Sequence, residues 1–240
     1  MLTINLRNPI HIKDFRGKEG NIMTLNGTTI ESILTIESFL STSTYITFKG
    51  KLRTGEYDVK DVVVKFYHTL SDNTNEFEIM KFVDEETSLK NIVPIPYINV
   101  INPLCKFYTI DNLKITHVWQ IIIYEYIPGV PLIHLTDINF TTLSNDIMSI
   151  LQQLYSVGLV HADLHEENII RTNNGRFRLI DFGQSFSIDH RFPPLKAVTM
   201  YKTMLMKEKS INFFRDYDLQ SLSRLIIYLR FKNPHYASKL

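Results

Sequence analysis

The chain has 240 residues, of which 44% are hydrophobic, and its 26 Lys and Arg residues nearly balance 25 Asp and Glu residues. This composition excludes a disordered chain and suits one domain or two tightly joined lobes. The net charge of +1 provides no field that would attract nucleic acid or an anionic membrane, and no stretch approaches the ~18 apolar residues of a membrane span. Because Cys105 is the sole cysteine, an internal disulfide is excluded and a reducing compartment is expected.

The first part of the chain is dominated by strand signals. Residues 1–30 carry a turn-rich patch and little periodicity, so no role is assigned to them. Residues 33–67 alternate β-rich runs with polar turns, which predicts an antiparallel sheet. A first helix is expected to begin at residue 71 or 72, since Ser and Asp are good N-cap types. Its buried side is expected to carry Phe77, Met80 and Val83.

The middle of the chain changes from a strand pattern to a helix pattern. Pro94 and Pro96 interrupt the chain before an apolar run over residues 115–127, which predicts a buried strand. After Thr142, apolar residues follow an i, i+3, i+4, i+7, i+8 spacing, which predicts an amphipathic helix that ends at Gly158. The stripe consists of Ile147, Ile150, Leu151, Leu154 and Tyr155.

Two short motifs follow that helix. Residues 161–168 read HADLHEEN, and residues 181–183 read DFG. Between them, two short apolar runs flank the turn sequence at 173–175, which predicts a β-hairpin. A last helix is expected from about Asp218, and its apolar face would carry Leu219, Leu222, Ile226 and Leu229.

The two motifs resemble the catalytic loop H-R-D-L-x-x-x-N and the metal-binding D-F-G of the protein-kinase-like superfamily. Further segments resemble other parts of that family and occur in its order. They are the strand VVVK ending at Lys65, the segment that carries Glu76, the run IIIYEYIPG at 121–129, and residues 218–222.

The resemblance implies an α+β, bilobal fold with a β-rich N-lobe and a mostly helical, truncated C-lobe. It also implies a single kinase-like domain over residues 1–240. The expected parts are an N-terminal extension at 1–30, an N-lobe at 31–125 and a minimal C-lobe at 126–240.

Phosphoryl transfer from ATP requires Mg²⁺ held by oxygen ligands and a carboxylate that orients the attacking hydroxyl group. By resemblance, Asp163 is the catalytic carboxylate, and Asn168 and Asp181 hold Mg²⁺. Lys65 would contact the phosphates of ATP, and Glu76 would fix the ammonium group of Lys65. The implied cofactors are therefore ATP and Mg²⁺.

The adenine pocket is assigned by the same resemblance. Tyr124 takes the gatekeeper position, and the backbone of Glu125 and Ile127 would make the hinge hydrogen bonds. Val63 and Ile170 would lie on the two faces of the base.

The phosphate loop departs from the family pattern. Residues 40–48 align with the family's glycine-rich loop, yet Ser41, Ser43 and Ile46 occupy its glycine positions. Since glycine permits close backbone approach and positive φ, the loop is expected to differ in shape or to contact phosphate partly through the two serine hydroxyls.

The catalytic loop and the C-lobe depart as well. Ala162 replaces the arginine that senses a phosphorylated activation loop, so constitutive competence is expected. His165 replaces the usual lysine, as in small-molecule phosphotransferases, and is expected to contact phosphate. The short C-lobe resembles RIO-type kinases, tRNA-modification kinases and viral or bacterial effector kinases.

The favoured function is that of a minimal Ser/Thr protein kinase that acts on a protein substrate. An activating or docking protein could compensate for the short C-lobe. The alternatives are a pseudokinase that serves as a docking module and a small-molecule phosphotransferase. The expected location is the cytoplasm, or the host cytoplasm for a viral or effector protein.

Overall fold

A computed structural model describes residues 2–4, 9–12, 22–24, 32–41, 45–68, 75–86, 89, 91–103, 108–110, 112–189, 191–192 and 211–232. The chain divides into two compact units. The first unit contains Met1–Asn73 and Pro94–Tyr126, and the second contains Thr74–Val93 and Ile127–Leu240. The mixed α+β class is confirmed, whereas the bilobal arrangement and the domain boundaries stay predictions.

The first unit is built on a seven-stranded antiparallel sheet. Its strands are β2 (Pro9–His11), β3 (Ile22–Thr24), β4 (Ile33–Ser41), β5 (Ile46–Arg53), β6 (Val59–Tyr67), β7 (Pro96–Ile101) and β10 (Gln120–Glu125). They are arranged in the order β2-β4-β5-β6-β10-β7-β3. The antiparallel sheet predicted for residues 33–67 is confirmed. A smaller sheet contains β1 (Leu2–Ile4), β8 (Tyr108–Ile110) and β9 (Leu113–Ile115), with β1 parallel to β8.

The central strands are buried on both faces, and most of their residues are apolar. In β6, every residue from Val62 to Tyr67 is buried, and β10 is buried from Gln120 to Tyr124. The predicted single strand over 115–127 is wrong: β9 ends at Ile115 and β10 begins at Gln120. Between them His117 has a φ of 57°, a left-handed conformation that an extended strand does not contain.

Among its described residues, the second unit combines three α-helices with short strands. The helices are α1 (Glu76–Glu85), α2 (Phe140–Ser156) and α3 (Ile211–Lys232). One sheet contains β11 (Gly129–Pro131), β13 (Ile169–Thr172) and β14 (Phe177–Leu179) in the order β11-β13-β14, and β12 (Leu159–Val160) pairs with β15 (Phe186–Ser187). The predicted hairpin is confirmed, and its turn contains Gly175 at a φ of 81°.

The helix α2 shows how local sequence sets both ends of an element. The Asn139 side chain accepts a hydrogen bond of 3.0 Å from the Thr142 amide and caps the helix, which begins at Phe140. Gly158 has a φ of 75°, which confirms the predicted left-handed end. All five residues of the predicted apolar stripe are buried.

The other two helices match their predictions in part. In α1, Phe77, Met80 and Val83 are buried as expected, whereas residues 71 and 72 lie outside the described part of the chain. The helix α3 begins at Ile211, well before Asp218. Its most buried leucines are Leu222, Leu225 and Leu229. None of the helices in the described ranges combines the length and the hydropathy needed to cross a bilayer.

Gly129 permits β11 to lie close to β13. A Cβ atom at this position would lie 2.4 Å from the Arg171 carbonyl oxygen and 2.5 Å from Ile170 Cγ2. Because the backbone must shift to admit it, we expect Gly129→Ala to lower the free energy of unfolding by about 1–3 kcal/mol. Urea unfolding measures this value, and Gly55→Ala is the matched control, since a Cβ at Gly55 meets nothing within 4 Å. Equal effects of both substitutions would contradict the expectation.

Candidate active site

The segment 161–168 connects β12 to β13 and is held by α3. The carboxylate of Asp218 accepts hydrogen bonds from the amides of His161 at 2.9 Å and Ala162 at 3.0 Å. Asp218 is fully buried at 0% exposure. Burial raises the pKa of Asp218, while the hydrogen bonds from the two backbone donors oppose that rise. Asp218 on α3 therefore holds the start of the HADLHEEN segment.

Two residues of the site have left-handed backbones. Ala162 has a φ of 64° and Asp181 has a φ of 62°. For residues with a Cβ this conformation costs about 1–2 kcal/mol, and such residues concentrate at functional sites. The bond from the Ala162 amide to Asp218 helps to hold the first of these conformations.

His161 ties the HADLHEEN loop to the DFG segment. Its Nδ1 accepts a hydrogen bond from the Asp163 amide at 3.3 Å, and its Nε2 donates to the Ile180 carbonyl at 3.2 Å. Its ring packs edge-on against Phe182, with 4.9 Å between the ring centroids. Both contacts are satisfied by one neutral tautomer, so His161 fixes the start of the loop relative to the residue that precedes Asp181.

Asp163, His165 and Asn168 form one contacting cluster. Asn168 Nδ2 donates to the Asp163 carbonyl oxygen at 2.9 Å and to Asp163 Oδ2 at 3.2 Å. Asn168 is buried, whereas the Asp163 side chain is 39% exposed and can be reached by a substrate. The structure therefore brings the predicted catalytic carboxylate and one predicted metal ligand into direct contact.

His165 has two partners that require different protonation states of Nε2. This atom lies 2.8 Å from Asn168 Nδ2, which can only donate, and 3.7 Å from Asp163 Oδ2, which can only accept when ionised. Asp163 raises the pKa of His165, and partial burial opposes the increase. The Asp163 carboxylate favours the charged ring, so the contact with Asn168 belongs to the neutral ring.

Asn168 and Asp181 offer a donor set that fits a hard cation. Since the Asn168 amide nitrogen is used by Asp163, its Oδ1 is the atom that could coordinate a metal. Asp181 supplies a carboxylate, one oxygen of which accepts from the Gly183 amide at 3.2 Å. Mg²⁺ prefers such oxygens and usually keeps several waters. Within the described residues, His, Cys, Asp and Glu side chains form no cluster of three or more that could hold a metal ion.

Both metal-ligand candidates lie beside the β13–β14 hairpin, which is fixed to α2 by a buried acid. Asn168 immediately precedes β13, and Asp181 follows β14. Asp146 on α2 accepts from the Phe177 amide at 2.8 Å and from Arg176 Nε at 3.0 Å. The hairpin therefore cannot slide along the helix without breaking these bonds.

Sequence reasoning assigned no role to His161 or Asp146. A signal for Asp146 was present, because it lies three residues after Leu143 and directly before Ile147, in a helical stripe that is otherwise apolar. A carboxylate at such a position needs a buried partner. For His161 the contacts to Asp163 and Ile180 depend on the folded loop, so spacing alone gave no signal.

Lys65, the residue of the first unit that is predicted to contact the phosphates of ATP, is buried beside two tyrosine rings. Lys65 on β6 is only 3% exposed, and its Nζ lies 5.1 Å from the centroid of the Tyr45 ring and 6.0 Å from that of Tyr124. Val63 lies two residues earlier on the same strand and is buried. At the end of β10, the Glu125 amide donates to the Ile95 carbonyl at 2.8 Å, so the Glu125 carbonyl is the group that could bind a base.

The remaining residues that were predicted to bind the nucleotide are dispersed over the sequence. Glu76 on α1, Ile127 and Ile170 belong to the second unit, and all three are buried. Ser41 ends β4, and Ser43 lies outside the described residues. The Lys65–Glu76 pair and the sandwich of Val63 and Ile170 around adenine stay predictions.

A family model matches the segment that contains the HADLHEEN and DFG motifs. The model of the RIO domain matches residues 114–195. This segment contains Asp163, Asn168 and Asp181, and it begins after Lys65 and Glu76. The match therefore covers the HADLHEEN and DFG motifs.

Curated relatives whose names describe protein kinases match the chain at low identity. The chain is 26% identical over 146 residues to a probable LIM domain-containing serine/threonine-protein kinase of Dictyostelium discoideum, covering 58% of the chain and 14% of the relative. It is 32% identical over 83 residues to a probable cell division protein kinase of Encephalitozoon cuniculi, which covers 32% of the chain and 31% of the relative. It is 28% identical over 132 residues to the serine/threonine-protein kinase RUNKEL of Arabidopsis thaliana, which covers 51% of the chain and 9% of the relative.

The chain thus spans less than a third of the length of each of these relatives. Kinase-type phosphotransfer is the activity common to the names of the relatives and to the superfamily of the matched domain. The resemblance drawn from the two motifs is confirmed, because residues 114–195 are similar to the RIO domain, an atypical family of the protein-kinase-like superfamily.

Proposed function

We propose that this protein transfers a phosphoryl group from Mg²⁺-bound ATP to serine or threonine of a protein substrate. The observation that carries the proposal is the connected loop in which Asp163 contacts Asn168 and His161 binds the carbonyl of the residue before Asp181. One set of hydrogen bonds thereby connects a partly exposed carboxylate with the two segments that carry the proposed metal ligands. The family match and the named relatives support phosphotransfer as the reaction class.

Asp163 is the residue that orients the substrate hydroxyl. Its carboxylate accepts a hydrogen bond from the attacking group and takes the proton late, because a free carboxylate is a weak base for an alcohol. The bond from Asn168 Nδ2 holds Asp163 Oδ2 in place, which leaves substrate access to the exposed part of this side chain.

Asn168 and Asp181 would hold the metal through oxygen atoms. When bound, Mg²⁺-ATP supplies the transferred phosphoryl group and neutralises the charge that develops on it. His165 would contact phosphate in its protonated form, which the adjacent Asp163 favours.

Lys65 would bind the nucleotide phosphates, paired with Glu76. The supporting observation is burial: a strand lysine usually extends its ammonium to solvent, whereas Lys65 is enclosed beside two tyrosine rings. Ser41 would contribute a hydroxyl to phosphate, and the Glu125 carbonyl and Ile127 backbone would bind adenine. The single cysteine supports a reducing compartment such as the cytoplasm for this reaction.

The decisive experiment measures transfer of labelled phosphate from ATP to a protein acceptor, followed by phosphoamino-acid analysis. We expect label on serine or threonine, and a rate about 100-fold lower for Asp163→Asn, because the amide cannot accept the hydroxyl proton. Glu56→Gln, at an exposed carboxylate in the first unit, is the control and should keep the rate of the unmodified chain.

The unmodified chain and its variants also distinguish the competing functions. Equal labelling by the unmodified chain and Asp163→Asn would contradict the proposed role of Asp163. A thermal shift with Mg²⁺-ATP that is lost in Asp181→Ala, without any transfer, would indicate a nucleotide-binding pseudokinase. Label that accumulates only on small hydroxyl compounds would indicate a small-molecule phosphotransferase.

A further inference from the structure

The last two turns of α3 expose an apolar stripe on the side away from the core. Arg224, Ile227, Tyr228 and Phe231 follow an i, i+3, i+4, i+7 spacing and therefore share one face of the helix. Ile227 is 55% exposed, Tyr228 is 48% exposed and Phe231 is 81% exposed. The buried side of these turns is already apolar, with Leu222, Leu225 and Leu229.

This distribution is unusual for a surface helix, which normally carries polar residues opposite its buried face. Single exposed apolar side chains need no explanation, but three large ones on one face form a continuous patch. Such patches mark interaction sites. We call Arg224, Ile227, Tyr228 and Phe231 the α3 stripe.

A groove between α2 and α3 runs beside the stripe. It encloses about 280 Å³ and is lined by Phe140, Thr141, Ser144, Asn145, Ile226 and Arg230. The guanidinium of Arg230 lies 5.2 Å from the centroid of the Phe140 ring, which places a cation on an apolar wall. An amphipathic helix recognises a groove next to an apolar stripe, because the apolar face of such a helix can cover the stripe and insert side chains into the groove.

The charged side chains of the α3 stripe and of the groove lining are all cations. The stretch 224–232 contains the cations Arg224, Arg230 and Lys232 and no carboxylate. Lys232 lies over the Tyr228 ring, with its Nζ 5.7 Å from the ring centroid. The polar residues that α2 contributes to the groove, Thr141, Ser144 and Asn145, are uncharged. A complementary ligand therefore carries carboxylates around an apolar face.

We propose that the α3 stripe and the adjoining groove bind an acidic amphipathic helix of a partner protein. Apolar side chains of that helix, three or four residues apart, contact Ile227, Phe231 and the groove, while its flanking Glu or Asp side chains pair with the cations. A second copy of this chain would present the same cations and be repelled. A membrane surface would cover the stripe but would not fill the groove.

This inference goes beyond phosphotransfer, and its test uses no catalytic readout. A displayed library of helical peptides, with variable charged positions and fixed apolar positions at i, i+3, i+4 and i+7, is selected against the full chain. We expect enrichment of acidic over basic flanks. Fluorescence anisotropy of the selected peptides should then show a roughly tenfold or greater loss of affinity for Phe231→Asp, because apolar anchors dominate such interfaces.

Matched controls distinguish specific binding at the α3 stripe from non-specific hydrophobic binding. Tyr57→Asp alters an aromatic side chain that is 88% exposed in the other unit and should leave the affinity unchanged. Arg224→Glu should weaken the acidic peptides and favour the same peptides with lysine in place of glutamate.

Selection of basic helices, or equal binding by Phe231→Asp, would overturn the proposal. Sedimentation with phosphatidylserine vesicles that depends on Phe231, in the absence of any selected helix, would instead assign the stripe to a membrane surface. Self-association that depends on Phe231 would assign it to a second copy of the chain.

Discussion

Asp218→Ala is expected to lower the free energy of unfolding by about 2–5 kcal/mol, which is a large fraction of the ~5–15 kcal/mol that stabilises an ordinary domain. The substitution removes the acceptor of two buried amide groups, those of His161 and Ala162. Each unsatisfied donor costs about 1–3 kcal/mol. The left-handed Ala162 would also lose a bond that holds its conformation.

Catalysis should fall together with stability, because the same bonds position the loop that carries Asp163. Phosphate transfer measured well below the unfolding temperature would show a lower kcat even for the folded fraction. Asp218→Asn keeps one acceptor oxygen and should retain part of both properties. Equilibrium unfolding in urea measures the stability.

Asp216→Ala is the matched control for Asp218→Ala. Asp216 lies on the same helix two residues earlier and is exposed, so its removal should change the free energy of unfolding by less than about 0.5 kcal/mol. If both alanine variants unfold at the same denaturant concentration, the two hydrogen bonds do not brace the loop.

Elements defined by local patterns were predictable from the sequence. The apolar stripe of α2 and its end at Gly158 follow from helical periodicity and the glycine preference of a left-handed cap. The hairpin around Gly175 follows from two short apolar runs and a turn sequence. The break between β9 and β10 was missed because the apolar run continues past His117, whose left-handed φ has no clear signal in its residue type.

Contacts between distant residues leave no local pattern in the sequence. Asp218 lies 57 positions after His161, and no periodicity relates the two. Residue types alone likewise gave no reason to connect Asp163 with Ile180 through the ring of His161. Motifs therefore predicted which residues make up the candidate site, whereas the hydrogen bonds that position them required the folded chain.

Asp146→Ala is expected to lower the free energy of unfolding by about 2–4 kcal/mol, although Asp146 does not touch any predicted ligand of ATP or metal. Its carboxylate is the acceptor for the buried Phe177 amide and for Arg176. Without it, the amide is left unsatisfied and the β13–β14 hairpin can shift along α2. Urea unfolding again measures the loss.

The same variant should weaken the use of Mg²⁺, because the hairpin fixes the separation of Asn168 and Asp181. We expect the Mg²⁺ concentration for half-maximal activity to rise about tenfold, equivalent to about 1.4 kcal/mol. A merely structural role would lower the amount of folded protein without changing this concentration. Titration of phosphate transfer with Mg²⁺ at saturating ATP measures the difference.

Arg176→Ala separates the two bonds made by Asp146. The Arg176 side chain is 67% exposed, so its ion pair should contribute less than about 1 kcal/mol. The bond from the Phe177 amide remains in this variant, and the Mg²⁺ requirement should stay that of the unmodified chain. Asp146→Asn should also retain most of the function, since an amide oxygen can accept the Phe177 bond. An Mg²⁺ requirement that rises in Arg176→Ala as much as in Asp146→Ala would mean that the ion pair, and not the buried backbone bond, positions the metal ligands.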